Sequence, residues 1–374
     1  MDNKQCIRTL ENTLESPLDC LGWALFKEHA GAFDVGETGN TARVIGVRKN
    51  SFVLSNGCEE WLAFPAGRLR QAGETFPAAG DWVQFREKLV TKVLPRKNAL
   101  SRGAAGLRHG KDGGALKQQI MATNVDTVFI VSGLDRDFNL RRLERYLTLV
   151  YNCGMMPVIV LTKADLQEGA QIFVYEAEHV APGVPVHLVS ARTEAGISVL
   201  ERYLEPGRTV VLVGSSGAGK STLVNRLAGA PVQATGEVSG SVGKGRHTTT
   251  SRDLILMPQG GMIIDNPGIR EIAFWDMAEP GALGAATSAF PEIEELARGC
   301  RFADCRHLHE PDCNVLQGLA DGIITPERLE SYRKMQREMD YLALRQECHS
   351  SGQVEKKRRK DISKQVKALK KRHW

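Results

Sequence analysis

The stretch Gly214-Ser215-Ser216-Gly217-Ala218-Gly219-Lys220-Ser221 constrains this chain more than any other. It follows Arg208-Thr209-Val210-Val211-Leu212-Val213, a β-branched run that reads as a buried strand, and leads into Thr222-Leu223-Val224-Asn225-Arg226-Leu227, a helical pattern. Strand, G-x-x-x-x-G-K-S and helix in that order form a phosphate-binding loop. A triphosphate needs several donors and a compact positive charge. Glycines let backbone N–H groups wrap the phosphates without Cβ clashes, and the helix turns its N-terminus to the anion. The loop from Gly214 to Thr222 is therefore expected to hold the nucleotide. Lys220 would reach the β- and γ-phosphates, and Ser221 would place its hydroxyl on Mg²⁺. A chance glycine turn would not explain both flanks.

Four further elements point to GTP as the nucleotide, the last two to its base. Gly260-Gly261-Met262-Ile263-Ile264 reads as a strand ending at Asp265, and Asp265-Asn266-Pro267-Gly268 matches D-x-x-G. Asp265 would hold Mg²⁺ through water, and the Gly268 N–H would sense the γ-phosphate. Between the two motifs lies Gly243-Lys244-Gly245-Arg246-His247-Thr248-Thr249-Thr250, polar and glycine-rich. One of its threonines should complete the Mg²⁺ shell; Thr250 is favoured, with Thr249 open. Upstream, the buried-strand pattern Val158–Leu161 ends in Thr162-Lys163-Ala164-Asp165, a form of [N/T]-K-x-D. The Asp165 carboxylate can accept from guanine N1–H and N2–H₂, a donor pair that adenine lacks. The Lys163 stem can lie over the base. Thr162 replaces the commoner Asn, which is expected to weaken loop bracing. A strand over Pro185–Val189 ends at Ser190-Ala191, whose N–H groups can donate to guanine O6.

Base-reading elements normally follow the phosphate elements; here they precede them. A circular permutation explains the order if the strands keep their places in the sheet, with the join at a surface connection such as Glu205-Pro206-Gly207.

The 374 residues carry 49 Lys or Arg and 44 Asp or Glu. Ten of the bases and only two of the acids fall in Glu355–Trp374, so the rest holds 39 bases and 42 acids. That tail reads as a nucleic-acid-binding arm or as a solubilising extension. The N-terminus is polar, and the most apolar runs, Thr127–Val131 and Val158–Leu161, are too short to span a bilayer. Cys6, Cys20, Cys58, Cys153 and Cys348 are scattered, whereas Cys300, Cys305, His307 and Cys313 lie within fourteen residues. Three thiolates and an imidazole make a closed, structural zinc site, with His309 as the alternative imidazole. A reducing, cytoplasmic setting follows.

Before the nucleotide motifs, Ala42–Val47, Ser51–Leu54, Trp61–Phe64, Asp81–Phe85 and Leu89–Val93 read as five short strands, which fit an OB-type barrel. Arg43, Arg48, Lys49, Arg68 and Arg70 are interleaved with Phe52, Trp61 and Phe64, suiting either RNA contact or a barrel core. Arg96, Lys97, Arg102, Arg108, Lys111 and Lys117 follow, as an RNA-contacting connector or an ordinary linker. The helical pattern from Pro326 to Leu344 places Leu329, Tyr332, Met335, Met339 and Leu342 on one face. The expected layout is an N-terminal extension (1–36), an OB-fold RNA-binding domain (37–105), a circularly permuted α/β P-loop GTPase domain (106–277), a mostly α zinc-binding domain (278–345) and a basic tail (346–374).

Taken together, Gly214–Ser221, Arg246–Thr250, Asp265–Gly268, Thr162–Asp165, Asn124-Val125-Asp126 and the Cys300/Cys305/His307/Cys313 spacing resemble the circularly permuted GTPases that depend on the small ribosomal subunit. The resemblance covers nearly the whole chain. It implies GTP hydrolysis stimulated by that subunit, contact with its rRNA, and a role in its late maturation by a monomer. Asn266 stands where the family usually has Thr, with little effect expected. The extension, with Trp23 and Phe26, exceeds the minimal pattern and has no assigned role.

GTP hydrolysis needs an in-line water and charge stabilisation. The position after D-x-x-G that often carries a water-orienting Gln is Ile269, so the chain alone should be slow. The resemblance supports His247, beside Lys220, as the catalytic group that the ribosome would position; contact with RNA is the other reading. Gly217 stands where potassium-activated P-loops carry Asn, so no strong potassium dependence is expected. Two other classes are a GTP-dependent RNA-modifying or translation factor, disfavoured by the lack of a further catalytic cluster, and an RNA-binding protein with a vestigial nucleotide site, disfavoured by intact Lys220, Ser221 and Asp265.

Overall fold

Near the N-terminus five strands close on themselves: β1 (Thr41–Val47), β2 (Phe52–Ser55), β3 (Glu60–Pro65), β4 (Trp82–Arg86) and β5 (Leu89–Val93). They pair in the order β1-β2-β3-β5-β4 and back to β1, the closed barrel expected, with each strand within a residue or two of its sequence pattern. Closure leaves the barrel no open edge of its own. Ala42, Val44, Phe52, Leu54, Ala63, Val83 and Val90 fill the interior. On β3 the alternation turns Leu62 and Phe64 outward and Ala63 inward. Of the three interleaved aromatics, Phe52 is therefore core, Trp61 packs half-buried on Phe85 at 5.0 Å, and Phe64 is exposed.

This computed structural model describes residues 16–30, 40–70, 75–103, 118–135, 137–232, 252–265 and 289–347. By contacts the chain divides into two units, one of residues 1–101 and 120–272, the other of 102–119 and 273–374.

Arg43 corrects the surface reading given to it above. Its side chain is 1% exposed and turns into the joint between the barrel and the sheet that follows. Nε donates to Gly80 O (3.2 Å), Nη1 to Leu21 O (2.5 Å) and Nη2 to Thr209 Oγ1 (2.9 Å), and the guanidinium lies 5.5 Å from the Trp82 ring. Burial lowers its pKa to about 10, against the pull of Asp126 and Asp81, so the charge persists at neutral pH. The extension covers the same joint. A 3-10 turn, Pro17–Leu21, is closed by a capping box in which Ser16 Oγ accepts from Leu18 N and Asp19 Oδ2 from Ser16 N. Helix α1 (Trp23–Ala30) then buries Trp23 completely, its ring 4.8 Å from Trp82, with Phe26 5.8 Å from the same ring. Such clustered aromatics dominate local packing energy.

A two-stranded ribbon follows, β6 (Ala99–Gly103) with β7 (Gln118–Thr123). Asn98 then exchanges hydrogen bonds with the Val125 backbone (2.7 and 2.9 Å), and Asp126 Oδ2 accepts from Thr209 N (2.8 Å), so Asn124-Val125-Asp126 is a structural pin of the first unit. The main sheet comprises β8 (Thr127–Gly133), β9 (Met156–Thr162), β10 (Val186–Leu188), β11 (Thr209–Val213), β12 (Arg252–Leu256) and β13 (Met262–Asp265). Its order is β10-β9-β8-β11-β13-β12, parallel except for β12. β8, β9 and β11 are apolar almost without interruption, as parallel strands covered on both faces must be. The order reverses between β8 and β11, and a crevice at the carboxyl ends of such strands is where ligands of open α/β sheets bind. The base-reading strands β9 and β10 come first in sequence yet share one sheet with the P-loop strand β11, with β8 between β9 and β11, so the motif order is permuted and the sheet is not.

Helix α2 (Leu140–Asn152) starts at Asn139, whose side chain accepts from Arg142 N, and buries Leu143, Leu147 and Val150 at helical spacing. Helices α3 (Gln171–Val180) and α4 (Lys220–Ala228) complete the unit. β12 also pairs antiparallel with β1 (Gly46↔Asp253, Val47↔Arg252), so barrel and main sheet form one eleven-stranded sheet.

The described residues 289–347 of the second unit are mostly helical: α5 (Pro291–Arg298), α6 (Asn314–Ala320) and α7 (Pro326–Glu347). Phe290, Ile293, Val315, Leu329, Tyr332 and Met335 are buried, and Arg328 lies over the Phe290 ring while donating to Glu292 Oε1 (2.7 Å) and Ala289 O (2.6 Å). Among the described residues, no helix is long and apolar enough to cross a membrane.

Candidate functional site

The phosphate loop leaves β11 at Gly214, whose φ is 147°. A Cβ there would lie 2.2 Å from the Val131 carbonyl oxygen of β8, so only glycine lets the two strands' ends approach this closely. Lys220 opens α4, and its Nζ donates to the carbonyls of Gly214 (2.7 Å) and Ser215 (2.5 Å), which holds the ammonium inside the loop. Ser221 follows in the first turn of the helix. Asp265 ends β13, and the register Val211↔Ile264 places it at the same end of the sheet as the P-loop.

The base-side residues gather at the ends of β9 and β10, across β8 from β11. Thr162 ends β9 and is buried; its Oγ1 donates to Ala218 O at 2.5 Å. The hydroxyl thus braces the phosphate loop in place of the commoner Asn. Lys163 takes the left-handed conformation (φ 60°), and Ala164–Leu166 make one 3-10 turn. Asp165 Oδ1 accepts from Ser190 Oγ at 2.6 Å, and Ala164 N donates to Val189 O at 3.2 Å. The T-K-A-D segment and the Ser190-Ala191 segment therefore meet as one recess. Arg226 of α4 donates to Ala191 O (2.7 Å), tying that recess to the phosphate helix.

Sequence reasoning missed three residues here. Asp135 and Asp137, in the loop after β8, contact Lys163 and Ser215 respectively, and Arg226 links the two loops. The signal available was position: acids just beyond the carboxyl end of a buried parallel strand. His247, Thr248, Thr249, Thr250 and Gly268 lie outside the described residues, as do Asn266 and Ile269.

In the second unit Cys300, Cys305, His307 and Cys313 come together, with all four ligand atoms within 4.8 Å of one another. Cys300 Sγ and Cys313 Sγ are 3.8 Å apart, Cys305 Sγ and Cys313 Sγ 3.6 Å, and His307 Nδ1 lies 3.4 Å from Cys313 Sγ and 3.6 Å from Cys300 Sγ. A tetrahedron with Zn–S near 2.3 Å and Zn–N near 2.0 Å has edges of about 3.8 Å (S···S) and about 3.5 Å (S···N). The donor set fits a tetrahedral metal, and His307 rather than His309 belongs to it, through Nδ1. Local chemistry favours His307 and Cys300 as ligands, whereas burial and the neighbouring thiols push the Cys305 thiol up to about 11. His307 needs a left-handed backbone (φ 55°), and the Glu310 carboxylate fixes that turn by accepting from Arg306 N, Leu308 N and His309 N. Burial works against the Glu310 charge, but these N–H groups hold its pKa down to about 2. Burial lowers the His307 pKa, favouring the neutral, ligating imidazole. Burial alone would raise the Cys300 pKa, but the N–H groups of Val315 and Asn314, at the start of α6, outweigh it and draw the thiol down.

Residues 93–275 match the family model described as RsgA GTPase. The chain is 43% identical over 361 residues to the small ribosomal subunit biogenesis GTPase RsgA of Syntrophotalea carbinolica, covering 94% of this chain and 98% of that one. It is 44% identical over 347 residues to the protein of the same name from Opitutus terrae, covering 88% and 91%. Among solved structures it superposes on YjeQ from Thermotoga maritima with a TM-score of 0.59 at 25% identity, over 80% of this chain and 98% of that one. YloQ, described as a circularly permuted GTPase, gives a TM-score of 0.54 at 24% identity over 80% and 94%, a likeness of fold.

Proposed function

The chain belongs to the RsgA GTPase family, and from that premise we propose that it hydrolyses GTP to GDP and phosphate in response to the small ribosomal subunit, acting late in that subunit's maturation in the cytoplasm. The observation that carries the nucleotide reading is the convergence of the Asp165–Ser190 recess and the Lys220 loop, joined by Thr162, at the carboxyl ends of β9 and β11. Asp165 reads the guanine N1–H and N2–H₂ edge. Lys220 exchanges its loop carbonyls for the β- and γ-phosphate oxygens. Gly214–Thr222 backbone groups wrap the phosphates, Gly268 N–H meets the γ-phosphate, and Ser190-Ala191 N–H groups meet O6. Ser221, Thr250 and Asp265 would hold Mg²⁺, which supplies charge neutralisation on the phosphates when bound. His247 orients the attacking water once the subunit places the loop that carries it. The Cys300/Cys305/His307/Cys313 set holds one structural zinc, since four protein ligands leave no open catalytic position.

Contact with rRNA rests on the barrel and the basic tail. Phe64 and Leu89 are exposed and adjacent in register, with exposed Arg68, Arg86, Lys88 and Lys92 around them, a surface suited to stacking and phosphate contact.

The test is base specificity. Xanthine carries a carbonyl where guanine carries the N2 amine, so an amide at position 165 suits it better than a carboxylate does. Wild-type protein should bind GDP well over tenfold tighter than XDP, and Asp165→Asn should reverse that preference. Unchanged GDP preference in Asp165→Asn would remove Asp165, and the recess, from the reading.

A further inference from the structure

The loop between β8 and α2 stands at the point where the strand order reverses, between the phosphate loop of β11 and the base-side loop of β9. It carries two acids, and each grips one of those loops. Asp135 Oδ2 accepts from Lys163 Nζ at 2.5 Å. Asp137 Oδ2 accepts from Ser215 Oγ in the phosphate loop, and Asp137 Oδ1 from Arg142 Nη1, so its charge is answered by a cation of α2. The acids are themselves linked, Asp137 N donating to Asp135 Oδ1 at 3.1 Å.

The Lys163 stem runs past Gly133 of β8. A Cβ on Gly133 would lie 3.5 Å from Lys163 Cδ and Cε, and 2.9 Å from Asp135 Oδ1. At Gly133 the close neighbour is thus the Asp135 carboxylate, with the Lys163 stem at ordinary contact distance beyond it. The Lys163 and Asp135 side chains are 23% and 35% exposed, so the pair is more shielded than an ordinary surface ion pair. Burial works against the Asp135 charge, but the bonds from Lys163 and from the Asp137 N–H outweigh it and keep the carboxyl below its usual range.

We propose that Asp135 is a positioning residue for base recognition, holding Lys163 so that its stem is set in place before guanine arrives. This rests on the guanine-nucleotide reading above and extends it to a residue outside the G-x-x-x-x-G-K-S, D-x-x-G and T-K-x-D elements. The physical basis is preorganisation. A free lysine has four rotors to order when a base lies against it, whereas one whose ammonium Asp135 already grips has lost much of that freedom. Asp135 touches no part of the nucleotide in this account and acts through Lys163 alone.

The experiment is equilibrium binding of a fluorescent GDP derivative to the full chain as wild type, Asp135→Asn, Asp135→Glu, Lys163→Met and the double variant Asp135→Asn/Lys163→Met, with hydrolysis at saturating GTP measured beside it. Asp135→Asn should weaken GDP binding by about tenfold, while its hydrolysis rate at saturation stays within about twofold. Asp135→Glu, which keeps the charge, should stay within about threefold of wild type. In the Lys163→Met background, Asp135→Asn should add almost nothing, because the partner is gone. The inference is overturned if Asp135→Asn binds GDP as well as or better than wild type, if Asp135→Glu loses as much as Asp135→Asn, or if the loss persists in the Lys163→Met background. Those outcomes leave wild-type GDP binding intact and touch this inference alone. A wild-type protein that binds ADP as well as GDP would instead bring down the guanine reading, and this inference with it.

Discussion

The nucleotide-site unit and the metal-site unit are held together by opposite means. The first rests on an eleven-stranded sheet with strands buried on both faces, and its ligand loops hang from the ends of strands that need no ligand to pack. The second, in its described residues, sets two short helices beside the 22-residue α7 and draws four ligand residues from one fourteen-residue segment. In the first unit chemistry is added to a finished fold. In the second, the proposed zinc would make the chemistry part of the fold.

The contrast can be broken most forcefully at the metal. Chelation, or Cys313→Ser, should unfold the second unit while the first keeps its own melting transition; binding energy in structural zinc sites is on the order of 10 kcal/mol or more. Calorimetry with zinc analysis would show two transitions of which only one responds. A single transition that ignores chelation would contradict the contrast. Trp23→Ala tests the other side. It removes a ring fully buried against Trp82 and Phe26, and should cost the first unit about 3–5 kcal/mol with zinc content unchanged. Denaturant unfolding followed by intrinsic fluorescence reads that loss, and a cost below about 1 kcal/mol would mean that the extension is an ornament.

Lys220→Ala should separate ligand from fold in the first unit. GTP affinity should fall roughly a hundredfold while the melting temperature without nucleotide changes little, since the ammonium donates to carbonyls of its own glycine-rich loop. The smallest effect concerns potassium. With Gly217 in place of Asn, exchanging sodium for potassium should alter the hydrolysis rate by less than about twofold, and a large selective rise would show a cation site that Gly217 does not predict.

What was legible in the sequence follows the same division between local and distant causes. Barrel strands announce themselves by alternation and turns, and β11, β9 and β13 by apolar runs that end in chemistry-bearing residues, so these elements and the Cys/His cluster could be read from neighbouring residues alone. Arg43 could not. An arginine on a strand reads as surface charge, and only the approach of Leu21, Gly80 and Thr209, which are distant in sequence, makes it a buried pin. The extension was opaque for the same reason, since Trp23 finds its partner in Trp82. β12 was missed because its partners are β13 and a barrel strand far upstream. Asp135 and Asp137 were missed because no fixed spacing links them to Lys163 or Ser215; the permutation places β8 beside β11 only in three dimensions.

The central claim is a GTPase whose chemistry is completed by its partner. Its most direct test is GTP hydrolysis by wild-type and His247→Ala protein, each alone, with purified small ribosomal subunits and with large ones. The account predicts slow turnover alone, a rise on the order of a hundredfold or more with small subunits only, and loss of most of that rise in His247→Ala at unchanged GTP and subunit binding. Equal rates with and without small subunits would contradict the trigger, and full stimulation of His247→Ala would contradict the role given to that histidine.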